Sequence, residues 1–448
     1  MNIQKIFKNY DIRGLVPKEI NSKIAFEFGK GFASYLGNFG KIVVGRDIRK
    51  SSEKLKNSLV DGLIHAGCDV IDIGLSTSDM VAWSVKNLKA DGGVMITASH
   101  LSQEWNGFKF FRSDGRIYGM EELKQNLLPL LKNKKILNSR KGRIENNEIT
   151  EDYISSIISR IQRINGKKSL SGMKIVFDGF NGMGSIVVPK ILKRLNADVI
   201  EINTNLNKGF AKPPEPKEET MKEISQKVLE LKADLGIACD GDADRVLFVD
   251  DNGNFVPGDE TLIFAAMKYV NSNQNVVFSL DVSQKLVKYL EEKKRCRVVY
   301  SKIGDFFVTE NMLKYKAVFG GQPNGHMKDP NFVLYDSGPF FATFLPSLLS
   351  SLEKKLSELR RTLPSYYKFT KSIHHKNPKV AIKKLIKKVK EKNCEILSEL
   401  DGIKFNYQNS TFLVRPSGTE NNLRLIVESE DEESVKSGLE EVIKWIEL

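Results

Sequence analysis

The sequence predicts an α/β protein of several domains, on three observations. Apolar strand-like runs alternate with amphipathic helical segments, polar and glycine-rich motifs follow the strands, and 448 residues are too many for one ordinary core. Domains of roughly 100 to 150 residues would divide the chain into three or four. Apolar residues make up 41% and charged residues 28%, the balance of a soluble globular protein. No stretch approaches the ~20 uninterrupted apolar residues of a membrane span. The segment Met1-Asn-Ile-Gln-Lys-Ile6 lacks the apolar core of a signal peptide, so the expected compartment is the cytoplasm, with no membrane partner. Cys68, Cys239, Cys296 and Cys394 are scattered without C-x-x-C spacing, which predicts reduced thiols rather than disulfides or a zinc site.

Taken in order, residues 41–45 read as a strand, 51–67 as a helix capped by Ser51, 68–74 as a strand, 78–88 as a helix and 93–98 as a strand. A helix over 151–164 leads to a second unit, with a strand at 173–177 and a glycine-containing turn, Asp178-Gly-Phe-Asn181-Gly182-Met-Gly184, that lacks G-x-G-x-x-G spacing and reads as structural. A third unit begins near 256–259 and carries a helix, a strand over 275–279 and a helix over 282–293. Its end is a long helix over 339–363, interrupted at Pro346 and stopped by Pro364. The charged stretch 368–379 reads as a linker, and the remainder to 448 as a smaller unit of two helices around strands. The net charge of +13 comes in large part from lysines in patterns such as Ile382-Lys-Lys-Leu385-Ile386-Lys-Lys-Val389-Lys390. There the apolar residues form one buried stripe under a solvated lysine face. No aromatics interleave with the basic residues, which predicts no nucleic-acid partner.

Four stretches carry chemistry. Thr97-Ala-Ser99-His100 places a serine at the mouth of an apolar strand. Asp240-Gly-Asp242-Ala-Asp244-Arg245 offers three carboxylates. On extended backbone these would share one side, with Cys239 on the other, and their mutual repulsion calls for a hard cation such as Mg²⁺. Gly320-Gly-Gln322-Pro-Asn324-Gly-His326 is a polar loop, and Arg415-Pro-Ser417-Gly418-Thr419-Glu420 combines a guanidinium, two hydroxyls and a glycine in the manner of a phosphate clamp.

With Phe7-Lys-Asn-Tyr10-Asp11-Ile-Arg13-Gly14 and Gly45-Arg46-Asp47-Ile-Arg49-Lys-Ser51-Ser52 before them, these stretches follow the order found in the α-D-phosphohexomutase superfamily. The chain resembles that superfamily over essentially its whole length, and its phosphomannomutase/phosphoglucomutase branch most. The resemblance implies four domains around one cleft, three of similar α/β topology with mixed sheets and a smaller C-terminal α+β domain, with boundaries expected at 1–148, 149–255, 256–367 and 368–448. It implies an enzyme that interconverts hexose 6-phosphate and hexose 1-phosphate, of mannose or glucose, through a phosphoserine and a hexose 1,6-bisphosphate intermediate. A phosphoglucosamine mutase is the alternative within the class. A catalytically weakened sugar-phosphate-binding regulator is the alternative outside it, and a monomer or weak dimer is expected.

By resemblance Ser99 is the phosphate carrier and joins Asp240, Asp242 and Asp244 around Mg²⁺. His100 orients the phosphate, Arg245 spreads its charge, and Lys109, His326, Arg13 and Lys302 are candidates for proton handling. Lys109 comes first among these, on the expectation that a lysine among cations has a lowered pKa. Tyr10, Lys302, Gln322, Asn324, Arg415, Ser417, Gly418, Thr419 and Arg424 are the expected substrate contacts, with Arg424 also able to pair with Glu420 or Glu428. The chain departs from the family pattern in three places. Leu101-Ser102 replaces Asn-Pro after His100, Asn421 replaces proline after the clamp glutamate, and in the sugar loop Gln322 and Asn324 stand where glutamate and serine are usual. A neutral amide accepts hydrogen bonds from sugar hydroxyls more weakly than a carboxylate but can also donate.

Overall fold

The computed structural model describes residues 3–8, 11–131, 141–167, 169–210, 212–417 and 422–447. The chain divides into two compact units, residues 1–261 with 324–359, and residues 262–323 with 360–448.

The first unit contains two mixed sheets. Strands β1 (Ile12–Leu15), β2 (Lys41–Arg46), β3 (Asp69–Leu75), β4 (Gly92–Ile96), β5 (Trp105–Arg112) and β6 (Ile144–Asn146) form a sheet in the order β1-β5-β4-β2-β3-β6. The β4–β2–β3 core of this sheet is parallel, while β5 runs antiparallel to both β4 and β1. Every residue of β4 is buried, which is why this strand reads as a continuous apolar run rather than an alternating one. Helices Ser22–Tyr35 and Ser52–His65 approach at backbone distance. A Cβ on Gly29 would lie 2.1 Å from the Leu59 carbonyl oxygen, and one on Gly62 2.2 Å from that of Phe26. Ser51 occupies the N-cap position, but its side chain does not cap the helix. Its hydroxyl instead accepts a hydrogen bond from Asn106 Nδ2 at 2.8 Å.

The second sheet has β7 (Lys174–Asp178), β8 (Asp198–Ile202), β9 (Leu235–Cys239), β10 (Val246–Val249) and β11 (Phe255–Val256), in the order β11-β10-β9-β7-β8. Helix Gly338–Leu352, in the later segment of this unit, packs on helix Thr150–Asn165 and on β9 and β10, and buries every residue from Gly338 to Leu349. It continues through Pro346 rather than breaking there. An interior proline costs ~3 kcal/mol, less than burying so many apolar side chains returns. The helix stops instead at Leu352, where Glu353 takes a left-handed φ of 54°, and a short helix, Leu356–Arg360, follows.

The second unit carries β12 (Asn275–Ser279), β13 (Arg297–Ser301) and β14 (Phe319–Gly321), with β12 parallel to both neighbours. The short β15 (Met327–Lys328) follows in chain order and belongs to the first unit. Strands β16 (Tyr367–His374), β17 (Glu395–Ser398), β18 (Ile403–Tyr407), β19 (Ser410–Pro416) and β20 (Asn422–Ser429) form an antiparallel sheet in the order β16-β20-β19-β18-β17. Its core is closed by helices Pro378–Glu391 and Glu432–Glu447, an α+β arrangement. The stretch expected to be a linker is therefore the edge strand β16, in register with β20 from Tyr367 to His374, followed by the start of a helix. Its lysines are the charges an exposed sheet edge carries against unwanted pairing. The lysine-rich helix behaves as its periodicity predicts, burying Ala381, Ile382, Leu385 and Val389.

Candidate active site

Ser99 lies just beyond β4, is buried, and holds a left-handed φ of 50°. For a non-glycine residue that conformation costs ~1–2 kcal/mol and persists only where surroundings impose it. The Ser99 N–H donates to Thr97 Oγ1 at 2.9 Å, and its hydroxyl donates to Asp240 Oδ2 at 2.9 Å and lies 3.2 Å from His100 Nδ1. Serine and first aspartate, 141 positions apart in the chain, are thus in direct contact.

The aspartates do not lie on extended backbone. Between β9 and β10 the chain makes a turn, closed by hydrogen bonds from Ala243 N to the Asp240 carbonyl (3.1 Å) and from Asp240 N to the Arg245 carbonyl (3.3 Å), with Ala243 at φ 60°. The turn converges the carboxylates more tightly than alternation would, with one ligand oxygen of each of Asp240, Asp242 and Asp244 within 4.8 Å of the others, all buried. Gly241 presses on the serine loop, where a Cβ would lie 2.5 Å from the Ser99 carbonyl oxygen. The preceding glycine turn supports this loop, since Met183 N donates to the Gly241 carbonyl at 3.0 Å.

Asp242 Oδ2 accepts from Ser78 Oγ (2.5 Å) and Lys109 Nζ (2.6 Å), and Asp244 Oδ2 accepts from Lys109 Nζ (2.6 Å) and Tyr335 OH (2.9 Å). Among the described residues, Oδ1 of Asp242 and of Asp244 is buried without a hydrogen-bond partner. Buried carboxylate oxygens left bare are costly, and an all-oxygen donor set of this kind fits a hard divalent cation. Burial, then repulsion from Asp244 and Asp242, pushes the Asp240 carboxyl well above the usual carboxylate range. Asp244 is held well below that range, because Lys109, His326 and Arg245 together outweigh its burial. The expectation of a lowered Lys109 pKa is overturned. Burial does favour the neutral amine, but Asp242 and Asp244 outweigh it and raise the pKa, so in this geometry Lys109 is a firm ammonium.

Arg245 Nε donates to His326 Nε2 at 3.0 Å, and its NH1 donates to Glu215 Oε1 at 2.9 Å. His326 Nδ1 lies 3.3 Å from Asp336 Oδ2. Burial, then the nearby Arg245 and Arg13, holds the His100 pKa well down, so that imidazole is neutral beside the serine. Arg13, on β1, pairs with Asp11 at 2.5 Å. Asn324 is exposed, and its Oδ1 accepts from His326 N at 3.4 Å. Sequence reasoning missed Ser78, Glu215, Tyr335 and Asp336, which belong to no motif and reach the site only through folding.

The second unit holds a separate constellation. Gln322 is buried, and its Oε1 accepts from Gly304 N at 2.9 Å. Asp401 Oδ2 accepts from Ile303 N (3.3 Å) and pairs with Arg415 Nε (3.0 Å), so one carboxylate joins the Lys302 loop to Arg415. The Lys302 ammonium stands 5.7 Å from the centre of the Phe307 ring. Ser417 N donates to the Asn422 carbonyl at 2.7 Å. Arg424 is exposed on β20 opposite Arg415 in the register. Glu428 is committed elsewhere than to Arg424, accepting from Ser283 Oγ (2.5 Å), Gln284 N (3.0 Å) and Lys285 N (3.2 Å) at the N-terminus of helix Gln284–Lys294. Tyr10, Gly418 and Thr419 lie outside the described residues.

A buried serine bonded to one carboxylate of a three-aspartate turn, on an α/β scaffold followed by an antiparallel C-terminal domain, defines a phosphoryl-transfer class of protein. Comparison with known families narrows it. Residues 4–136, 151–253 and 257–367 match phosphoglucomutase/phosphomannomutase alpha/beta/alpha domains I, II and III, and residues 375–444 match the C-terminal domain. The phosphoglucomutase/phosphomannomutase of Thermococcus kodakarensis is 33% identical over 99% of this chain and 98% of its own length. A probable phosphoglucosamine mutase of Pyrococcus abyssi is 34% identical over 99% and 98%. The crystal structure of a phosphoglucomutase/phosphomannomutase family protein from Burkholderia thailandensis superposes with a TM-score of 0.89 at 23% identity, covering 99% of this chain and 98% of that one. The chain belongs to the phosphoglucomutase/phosphomannomutase family.

Proposed function

We propose that this protein is a phosphohexomutase that interconverts hexose 6-phosphate and hexose 1-phosphate, of glucose or mannose, with Ser99 as phosphate carrier. The observation that carries this reading is the Ser99 hydroxyl bonded to Asp240 within a buried three-carboxylate turn. In the first transfer the free sugar hydroxyl attacks the phosphorus of phosphoserine. A new phosphorus–oxygen bond to sugar forms, the bond to Ser99 Oγ breaks, and the sugar is left as the 1,6-bisphosphate. The second transfer reverses these steps with the other phosphate. The proton lost by the attacking hydroxyl is balanced by one gained at the leaving oxygen. Of the candidates Lys109, His326, Arg13 and Lys302, the ammonium of Lys109 and the guanidinium of Arg13 can stabilise charge but not accept that proton, which leaves the exchange to His326 or Lys302. Arg245 spreads charge on the moving phosphoryl group. Asp240, Asp242 and Asp244, with a Ser99 phosphate oxygen, would hold Mg²⁺, which neutralises phosphate charge when bound.

Arg415, Ser417, Gly418, Thr419 and Arg424 would clamp the phosphate that is not reacting. Tyr10, Lys302, Gln322 and Asn324 would contact the sugar. The domains are taken as 1–148, 149–255, 256–367 and 368–448. The enzyme is assigned to the cytoplasm as a monomer or weak dimer, and no helix among the described residues is long and apolar enough to cross a membrane. A phosphoglucosamine mutase is the second reading, supported by relatives of that name such as the probable phosphoglucosamine mutase of Pyrococcus abyssi, 34% identical. The test is to incubate the purified protein with glucose 1,6-bisphosphate and Mg²⁺, map the added phosphate by mass, and assay glucose, mannose and glucosamine 1-phosphates in parallel. Absence of phosphate on Ser99 would overturn the reading.

A further inference from the structure

The motif Asp47-Ile-Arg49-Lys-Ser51-Ser52 takes no part in the chemistry above, yet Arg49 and Asp47 are completely buried at the side chain. All five N–H groups of the Arg49 guanidinium are engaged. Nε donates to Asp47 Oδ2 at 2.9 Å, NH2 to the carbonyls of Ser99 (2.8 Å) and Leu101 (2.7 Å), and NH1 to those of Trp105 (3.0 Å) and Ser102. Four carbonyls of the loop that begins at the nucleophile therefore converge on one cation.

Asp47 works from the other side. Its Oδ2 accepts from Thr97 Oγ1 at 2.8 Å, and that same hydroxyl oxygen receives the Ser99 N–H at 2.9 Å. Asp47 Oδ1 accepts from Arg49 N at 3.0 Å and from Ser52 Oγ, while Asn106 Nδ2 donates to both Ser51 and Ser52 hydroxyls, tying in the strand that bears Lys109. The guanidinium also stands 4.8 Å from the centre of the Phe210 ring, against which a Cβ on Gly241 would press at 3.2 Å. Ser99 thus has its N–H fixed through Asp47 and its carbonyl fixed by Arg49, which is what a left-handed serine needs to persist.

We infer that Arg49, braced by Asp47, is a positioning residue for Ser99. It fixes the loop so that Oγ faces Asp240, and so sets the rate at which the serine gains and loses phosphate without touching the sugar phosphate. This rests on Ser99 being the carrier. A lysine in its place has three donors, no planar fork and no means of satisfying four carbonyls at once.

The test compares wild type, Arg49→Lys and Thr97→Val by thermal unfolding, by glucose 1-phosphate affinity, and by the quenched-flow rate of phosphate transfer from glucose 1,6-bisphosphate to Ser99. Arg49→Lys is expected to slow phosphate uptake about 100-fold, the scale of a small misplacement at a reacting centre, with sugar-phosphate affinity unchanged. Added guanidinium should partly restore the rate in Arg49→Ala. A folded Arg49→Lys that takes up phosphate at the wild-type rate overturns the inference, as does a slowing matched by an equal loss of affinity. If Arg49→Lys does not fold, Thr97→Val decides, a slower uptake at unchanged affinity supporting the inference and a wild-type rate overturning it. Failure of the wild type itself to become phosphorylated would instead bring down the carrier assignment.

Discussion

The two units hold their polar residues in opposite ways. In the first, the groups of the proposed carrier site are bonded to one another, Ser99 to Asp240 and Lys109 to Asp242 and Asp244 all buried, and the half-buried Arg245 to His326 and Glu215. In the second, Arg424 and Lys302 are exposed, while Arg415, itself buried, pairs with the partly exposed Asp401. A preorganised buried array stabilises charge that develops during reaction, because its dipoles need not reorganise. Groups that keep access to water can exchange one anionic partner for another at little cost. On the proposed function, bond making falls to the first unit and capture to the second.

Mutation can break that division, and the largest effect is expected at its centre. Ser99→Ala should lower kcat by ~10³-fold or more while sugar-phosphate affinity survives, because the oxygen that carries phosphate is gone and the clamp is not. Turnover near wild type at saturating bisphosphate would remove Ser99 as carrier. Asp242→Asn should weaken Mg²⁺ activation and rate together by about 10–100-fold, read from metal titrations of activity. Insensitivity of the wild type to chelator would count against the metal assignment. Gly241→Ala should cost about tenfold or more in kcat and lower Tm as well, since its Cβ must push the loop off the buried Ser99 carbonyl.

In the second unit the effect moves from kcat to KM. Arg415→Ala should raise KM about tenfold for both the 1-phosphate and the 6-phosphate and leave Ser99 phosphorylation by bisphosphate possible, as loss of a charge-assisted pair predicts. An effect confined to one isomer would show that the clamp reads only one end of the sugar. The smallest and most discriminating change is the pair Gln322→Glu, in the second unit, with Asn324→Ser, in the first. It should raise kcat/KM for glucose or mannose 1-phosphate by a few-fold, since a carboxylate accepts from sugar hydroxyls more strongly than an amide. Loss of activity on glucose, mannose and glucosamine phosphates alike would show that the loop is tuned to another sugar.

Legibility in the sequence follows the same division. The clustering of Ser99 with the three aspartates is readable because each motif is contiguous, so its chemistry shows in a handful of adjacent letters. What surrounds them is not. Ser78 meets Asp242 across 164 positions and Tyr335 meets Lys109 across 226, and no local pattern announces a contact of that span. The Lys109 pKa was misjudged for the same reason, its cationic neighbours being visible in the motifs and its two carboxylate partners only in the fold. Among the elements, β16 was missed because charge masked its alternation, and the break at Pro346 was overcalled because burial outweighs local propensity.

Helix Gly338–Leu352 has a further consequence, for the order in which the molecule can be made. It is apolar almost throughout and fills a groove lined by helix Thr150–Asn165 and strands β9 and β10, all of which leave the ribosome far earlier. Until about residue 360 has emerged, that groove has nothing of this chain to cover it, and the first unit, assembled from residues 1–261 and 324–359, has no means of closing. The nascent chain must therefore carry an open hydrophobic trough while the whole of 262–323 is being synthesised. A ribosome stalled before residue 338 should display a protease-sensitive, chaperone-binding intermediate, and one stalled well beyond 359 should display a protected first unit.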